Sequence, residues 1–122
     1  MKTNANALYP FVPSGPDFDL AIRFFNAIGF ETAWNAGDIA GMKWDNAYFM
    51  LQKYENKDWQ ENQMLTIEVD DLEGYYAELV AMDLPKQFPG VRIKEPTDYP
   101  WGREIHIADP AGVCWHFRES GA

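Results

Sequence analysis

The sequence predicts an α+β fold in which two βαβββ modules curl into a cup-shaped mixed sheet. Three observations carry the prediction. A strand-like run, a helical run and three further strand-like runs occur in that order, and the same order then restarts. The repeat is one of element order rather than residue identity, with a period of about 55 residues, too long for a solenoid. A polar stretch, residues 55–62, separates the halves, so modules of about 7–54 and 63–118 make up a single domain over residues 1–122. A βαβββ sheet leaves the face away from its helix uncovered. Two such sheets together wall a small-molecule cavity.

The first module opens with the apolar run Leu8 to Pro13. It contains Pro10, which cannot donate to a ladder, so the strand belongs at a sheet edge or in an exchanged arm. Ser14-Gly15-Pro16 turns the chain into a helix from Asp17 to Ile28. Leu20, Phe24 and Ile28 share one face with Ala21 and Phe25 beside them, Asp17 fits the N-cap, and Gly29 ends the helix. Phe30 to Asn35, Ile39 to Trp44 and Ala47 to Lys53 read as strands, broken by Ala36-Gly37-Asp38 and Asp45-Asn46. The linker carries Trp59 alone among polar residues, a candidate contact for a ligand or partner.

The second module begins with a strand, Met64 to Val69. Asp70-Asp71 then caps a helix running to about Met82, with Leu72, Tyr75, Tyr76, Leu79 and Val80 at helical spacing and a costly Gly74 inside it. Val91 to Lys94, Glu104 to Ala108 and Val113 to Phe117 supply the last strands. The closing pair flanks Asp109-Pro110-Ala111-Gly112, where proline presets φ and glycine tolerates positive φ. Just ahead, Trp101 is held between Pro100 and Gly102, a rigid corner suited to a stacking wall. With Ala108 opposite Val113, Glu104, His106, Trp115 and Phe117 share one face of this hairpin. Arg103, Ile105, Ile107, Cys114, His116 and Arg118 share the other.

The net charge is −9 at neutral pH, with lysines and arginines scattered. Such a surface repels phosphate backbones and anionic membranes and attracts cations. A lone cysteine, Cys114, excludes an internal disulfide and reads as an inert thiol within a strand. No run approaches the roughly 18 apolar residues of a membrane span, and the first residues lead into no signal-peptide core, so a cytoplasmic protein is expected. No phosphate loop or serine nucleophile elbow occurs.

The residues now described resemble the vicinal oxygen chelate superfamily, which includes glyoxalase I, fosfomycin-resistance enzymes, extradiol dioxygenases and bleomycin-resistance proteins. The likeness rests on Phe24-Phe25-Asn26-Ala27-Ile28-Gly29-Phe30, on Glu68-Val69-Asp70-Asp71-Leu72 with Tyr75-Tyr76-Ala77-Glu78-Leu79, and most specifically on the closing segment. Asp109-Pro110-Ala111-Gly112 matches a superfamily-wide turn. Pro100-Trp101-Gly102-Arg103-Glu104, with His116-Phe117 two residues after Cys114, points to the bleomycin-resistance branch. Val113 departs from the asparagine usual after the glycine.

That resemblance implies an acidic homodimer, without a metal or other cofactor, that sequesters a cationic aromatic compound in crevices shared by two subunits. The N-terminal arm near Pro10 would be exchanged between partners. It implies Trp101, Gly102, Trp34, Ile39 and His116 as pocket positions, to which Trp59 is added from its isolation in the linker. Ile39 stands where relatives carry an aromatic and Ala33 where they carry an acid, departures that imply a related cup with a different ligand. The superfamily's enzymes hold a divalent ion with side chains from four strands. The matching positions here are Met64, His116, Gln52 and, on the first strand, no ligand residue at all. On the facial assignment above, His106 and His116 point apart and cannot share an ion. The reading therefore leans away from an enzyme, with no catalytic residue assigned. Two alternatives remain: a metal-dependent lyase or dioxygenase of the same superfamily, and an acidic protein-interaction module.

Overall fold

The computed structural model describes residues 2–121. The first module comprises β1 (Phe11–Pro13), α1 (Phe18–Ile28), β2 (Glu31–Asn35), β3 (Ile39–Trp44) and β4 (Ala47–Gln52). A short helix α2 (Lys57–Asn62) leads to the second, with β5 (Met64–Val69), α3 (Leu72–Met82), α4 (Leu84–Gln87), β6 (Arg92–Tyr99), β7 (Gly102–Ala108) and β8 (Cys114–Glu119). Each module forms a four-stranded mixed sheet of the same topology. The orders are β1-β4-β3-β2 and β5-β8-β7-β6, and the first strand of each module runs parallel to its last. The α+β architecture of two βαβββ modules is therefore present.

Local chemistry accounts for the helices. Asp17 accepts a hydrogen bond from Leu20 N at 3.0 Å, and α1 buries Phe18, Ala21, Phe24, Phe25 and Ile28 before Gly29 ends it at φ 141°. Asp71 caps α3 in the same way through Gly74 N at 2.9 Å. Gly74 is tolerated there because a Cβ would come 2.8 Å from the Asp71 carboxyl carbon.

Besides the short helix α4, which the sequence does not predict, three elements differ from the sequence expectation. β1 starts at Phe11 rather than Leu8, because Pro10 offers only its carbonyl, which accepts from Met50 N at 2.8 Å. It lies at a sheet edge, as the proline demands, paired with β4 of its own chain. The polar linker contains α2, capped by Asn56 and anchored by the buried Gln60, whose amide donates to Ala111 O at 2.9 Å. No apolar stripe announces this helix, since its one buried residue is polar. β6 extends to Tyr99 through Pro96, and a register shift between Lys94 and Thr97 absorbs the missing N–H.

The core is aromatic and draws on both modules. Phe25 meets Phe49 and Trp115 edge-on at centroid distances of 4.9 and 5.2 Å, and Phe49 meets Trp115 at 5.0 Å. Trp44 packs on Tyr75, whose hydroxyl donates to Ile28 O at 2.7 Å and ties α3 to the end of α1. Among the described residues no helix is long and apolar enough to cross a membrane.

Candidate ligand site

The β7–β8 turn decides what the second sheet presents. Asp109 is buried, and its carboxylate accepts from Ala111 N (2.9 Å), Val113 N (3.0 Å) and the Trp115 indole N–H (3.0 Å). Asp109 N also donates to Val113 O at 3.0 Å, so five residues are enclosed and Ala108 pairs with Cys114, not with Val113. This corrects the facial assignment made from sequence. A one-residue change of register inverts every side chain of one strand relative to the other. Ile105, Ile107, Trp115 and Phe117 all face the core, while His106 lies directly opposite His116 with Glu104 on the same face.

These three residues form one cluster. A single Glu104 oxygen lies 2.9 Å from His106 Nε2 and 3.1 Å from His116 Nδ1, and the two rings stack at a centroid distance of 4.0 Å. Glu104 is only 3% exposed although it is charged. Burial works against its charge, but hydrogen bonding from His106 and Trp101 and the charge of the imidazoles outweigh it, so the carboxyl sits below the usual glutamate range. His116 is pushed down by burial and by His106, against the pull of Glu104. The stack continues outward. Tyr99 lies on His106 at 5.1 Å and 14°, and Trp101 lies on Tyr99 at 5.1 Å and 10°. Lys94 donates to the Tyr99 hydroxyl at 3.0 Å. Trp101, His106 and His116 thus belong to one column of four rings over a buried carboxylate. The sequence reading missed Tyr99, His106 and Glu104. His106 and Glu104 receive no pocket role from the sequence because its β7–β8 register is off by one, and Tyr99 receives none because β6 runs on to it past Pro96.

Trp101 is 60% exposed on the tight β6–β7 turn, next to Gly102 at φ 140°, a conformation suited to glycine. Trp34 and Ile39 lie on the other sheet. A bulge at Ala33 re-aims β2, and the Trp34 indole N–H donates to the Tyr48 hydroxyl at 2.8 Å, above Gly41. Tyr9 packs on Tyr48 at 4.6 Å, and Ile39 pairs with Gln52. Trp59 packs edge-on against Tyr54 at 5.7 Å, half-buried in α2. The structure therefore joins Trp101, Gly102 and His116 on the second sheet and places Trp34 and Ile39 together on the first. Trp59 stands apart from both. A groove of about 890 Å³ runs past Glu31, Lys43, Asp45, Glu68 and Asp70, and a cavity of about 200 Å³ lies among Leu8, Pro10, Tyr48, Leu65 and Trp115. Neither is lined by Trp34, Ile39, Trp59, Trp101 or His116.

The four-strand metal set of the superfamily's enzymes does not fit this chain. β1 offers Phe11, Val12 and Pro13, and Met64 stands at the β5 position. The Cys114 thiol is pushed up by burial and by the charges of Asp109 and Glu104, which keeps it protonated and a poor nucleophile.

The repeated βαβββ modules and their closing hairpin define a class, and residues 13–117 match the family model for it. The chain belongs to the glyoxalase/bleomycin resistance protein/dioxygenase superfamily. Within it, the fold is similar to a bleomycin resistance determinant encoded on the transposon Tn5, with 17% identity, TM-score 0.82, and 97% of this chain and 100% of that one covered. It is also similar to the bleomycin-binding protein of bleomycin-producing Streptomyces verticillus complexed with copper(II)-bleomycin (22% identity, TM-score 0.79, coverage 97% and 98%). A third similar structure is a bleomycin-binding protein complexed with bleomycin (18% identity, TM-score 0.80, coverage 95% and 99%). Comparison with curated proteins finds no match.

Proposed function

We propose that this protein binds and sequesters a small aromatic, cationic compound without transforming it, in a crevice completed by a second copy of the chain. The observation that carries this reading is the column Trp101–Tyr99–His106–His116 standing over the buried Glu104 carboxylate. An exposed indole extends a flat stack on which an aromatic ligand adds one more layer, and the acidic chain draws in a cation. The bleomycin-binding proteins of the same fold support a binding role. Dimerisation is supported by Leu8, Tyr9, Phe11, Trp34 and Met64, large apolar side chains left exposed in the single chain. A second copy would bring the Trp34 wall of one subunit to the Trp101 wall of the other, with Pro10 at the root of an exchanged arm.

Fluorescence titration with bleomycin and a panel of aromatic cations tests the reading, alongside sedimentation to measure oligomeric state. Trp101→Ala should weaken binding about tenfold or more, the worth of a stacked cation–π contact. If no compound of the panel changes tryptophan emission, or Trp101→Ala alters no ligand's binding, the assignment of this site fails.

A further inference from the structure

We infer that Glu104, His106 and His116 form a binding site for one divalent transition-metal ion, built on the β7–β8 ladder rather than on the four strands used by the superfamily's enzymes. Their donor atoms all lie within 4.8 Å of one another. Metal–donor bonds of about 2.0–2.2 Å place neighbouring ligands roughly 3.0–3.5 Å apart in tetrahedral or octahedral sites. The Glu104 oxygen already lies 2.9 and 3.1 Å from the two imidazole nitrogens. Two of the three ligand–ligand edges of a coordination polyhedron are therefore close to length before an ion arrives.

The surroundings favour an ion over a purely structural cluster. A carboxylate 3% exposed is set between two imidazoles that are 21% and 17% exposed, so the negative charge is buried while the rings stay partly open to solvent. Loading needs each nitrogen facing Glu104 to give up its proton and the rings, now 27° apart, to open so that both lone pairs converge. His106 Nδ1 faces the Tyr99 hydroxyl at 3.5 Å, so once the ring proton moves to Nδ1 the hydroxyl oxygen can accept a hydrogen bond from it and orient the ring. Two imidazoles and one carboxylate select Zn²⁺, Co²⁺, Ni²⁺ or Cu²⁺ over Mg²⁺ and Ca²⁺. Three protein ligands leave positions open beside Tyr99 and Trp101, where an oxygen or nitrogen donor of a small molecule would bind.

This inference is independent of the ligand reading, because metal uptake is measured without any organic compound. Chelator-stripped protein is titrated with Co²⁺ near neutral pH and then with Zn²⁺. The expected result is one Co²⁺ per chain with a visible ligand-field band that one equivalent of Zn²⁺ abolishes. His106→Ala and His116→Ala should each weaken binding by at least about 100-fold. Histidine-ring NMR of the unaltered protein gives a second readout that needs no variant, since one equivalent of Zn²⁺ should shift both imidazoles. Absence of a stoichiometric site up to about 1 mM metal, unshifted imidazoles, or binding that survives both substitutions would each overturn the proposal. In the last case the ion sits on surface carboxylates of a chain carrying −9.

Discussion

Gly41→Ala separates the stability of the first sheet from its readiness to bind. Gly41 lies in β3 between Trp34 of β2 and Met50 of β4. A Cβ there would come 2.7 Å from Trp34 Cε2 and closer still to its Nε1 and to the Tyr48 hydroxyl. The indole cannot stay where it is. Yet the atoms in the way are the tips of side chains on an open face, so they can swing aside without moving backbone. Three terms set the cost. The lost Trp34–Tyr48 hydrogen bond contributes about 0.5–1.5 kcal/mol. Replacing glycine at a φ that alanine accepts restores about 0.4–1 kcal/mol through the unfolded chain. Re-exposing part of an indole that is already 41% exposed adds little. Net destabilisation of about 1 kcal/mol or less is expected by urea unfolding, together with a changed near-UV spectrum as Trp34 loses its fixed setting. If Trp34 is one wall of the crevice, affinity for a stacking ligand falls about tenfold. A loss above about 3 kcal/mol would show that the rings cannot yield. An unchanged near-UV spectrum would show that Gly41 does not hold Trp34 in place. Either result refutes the reasoning.

Two further predictions follow from caps and charges. Gly74→Ala should fail to stabilise α3, because the new methyl expels the Asp71 cap, worth about 1 kcal/mol and similar to the propensity gained. In an Asp71→Ala background the same change should stabilise by about 1 kcal/mol, and a thermal double-mutant cycle checks the difference. Asp109 is pushed up to about 6 by burial, against hydrogen bonds from Trp115, Val113, Ala111 and Gly112 that favour its charge. A carboxyl raised in the fold gives stability that is fully present at low pH and lost as pH rises through about 6. The stability of Asp109→Asn relative to the unaltered protein should therefore improve by about 2 kcal/mol between pH 4 and pH 7. A gap that stays flat would mean that the N–H donors offset the burial completely.

Much of the fold was legible because its signals are local. Asp17 and Asp71 cap the helices they were expected to cap, and Pro10 sends β1 to an edge because it has no N–H to give. The short helix α2 was not legible, since its buried Gln60 is held by a bond to Ala111, a residue 51 positions away. The continuation of β6 past Pro96 was hidden for a related reason. A proline in a strand reads as a stop unless a register shift absorbs it, and that depends on the partner strand.

The sequence by itself determined the repeated βαβββ order, the Pro100-Trp101-Gly102 corner and the acidic surface, because each depends on residues close together or on composition alone. Only the tertiary structure decided which way the closing hairpin faces. Asp109 reaches forward to Val113 N and to the indole of Trp115, and that indole is in place because the core of both modules receives it. Side chains in a strand alternate with period 2, so this single residue of register turns His106 and His116 from opposite faces into a stacked pair on Glu104.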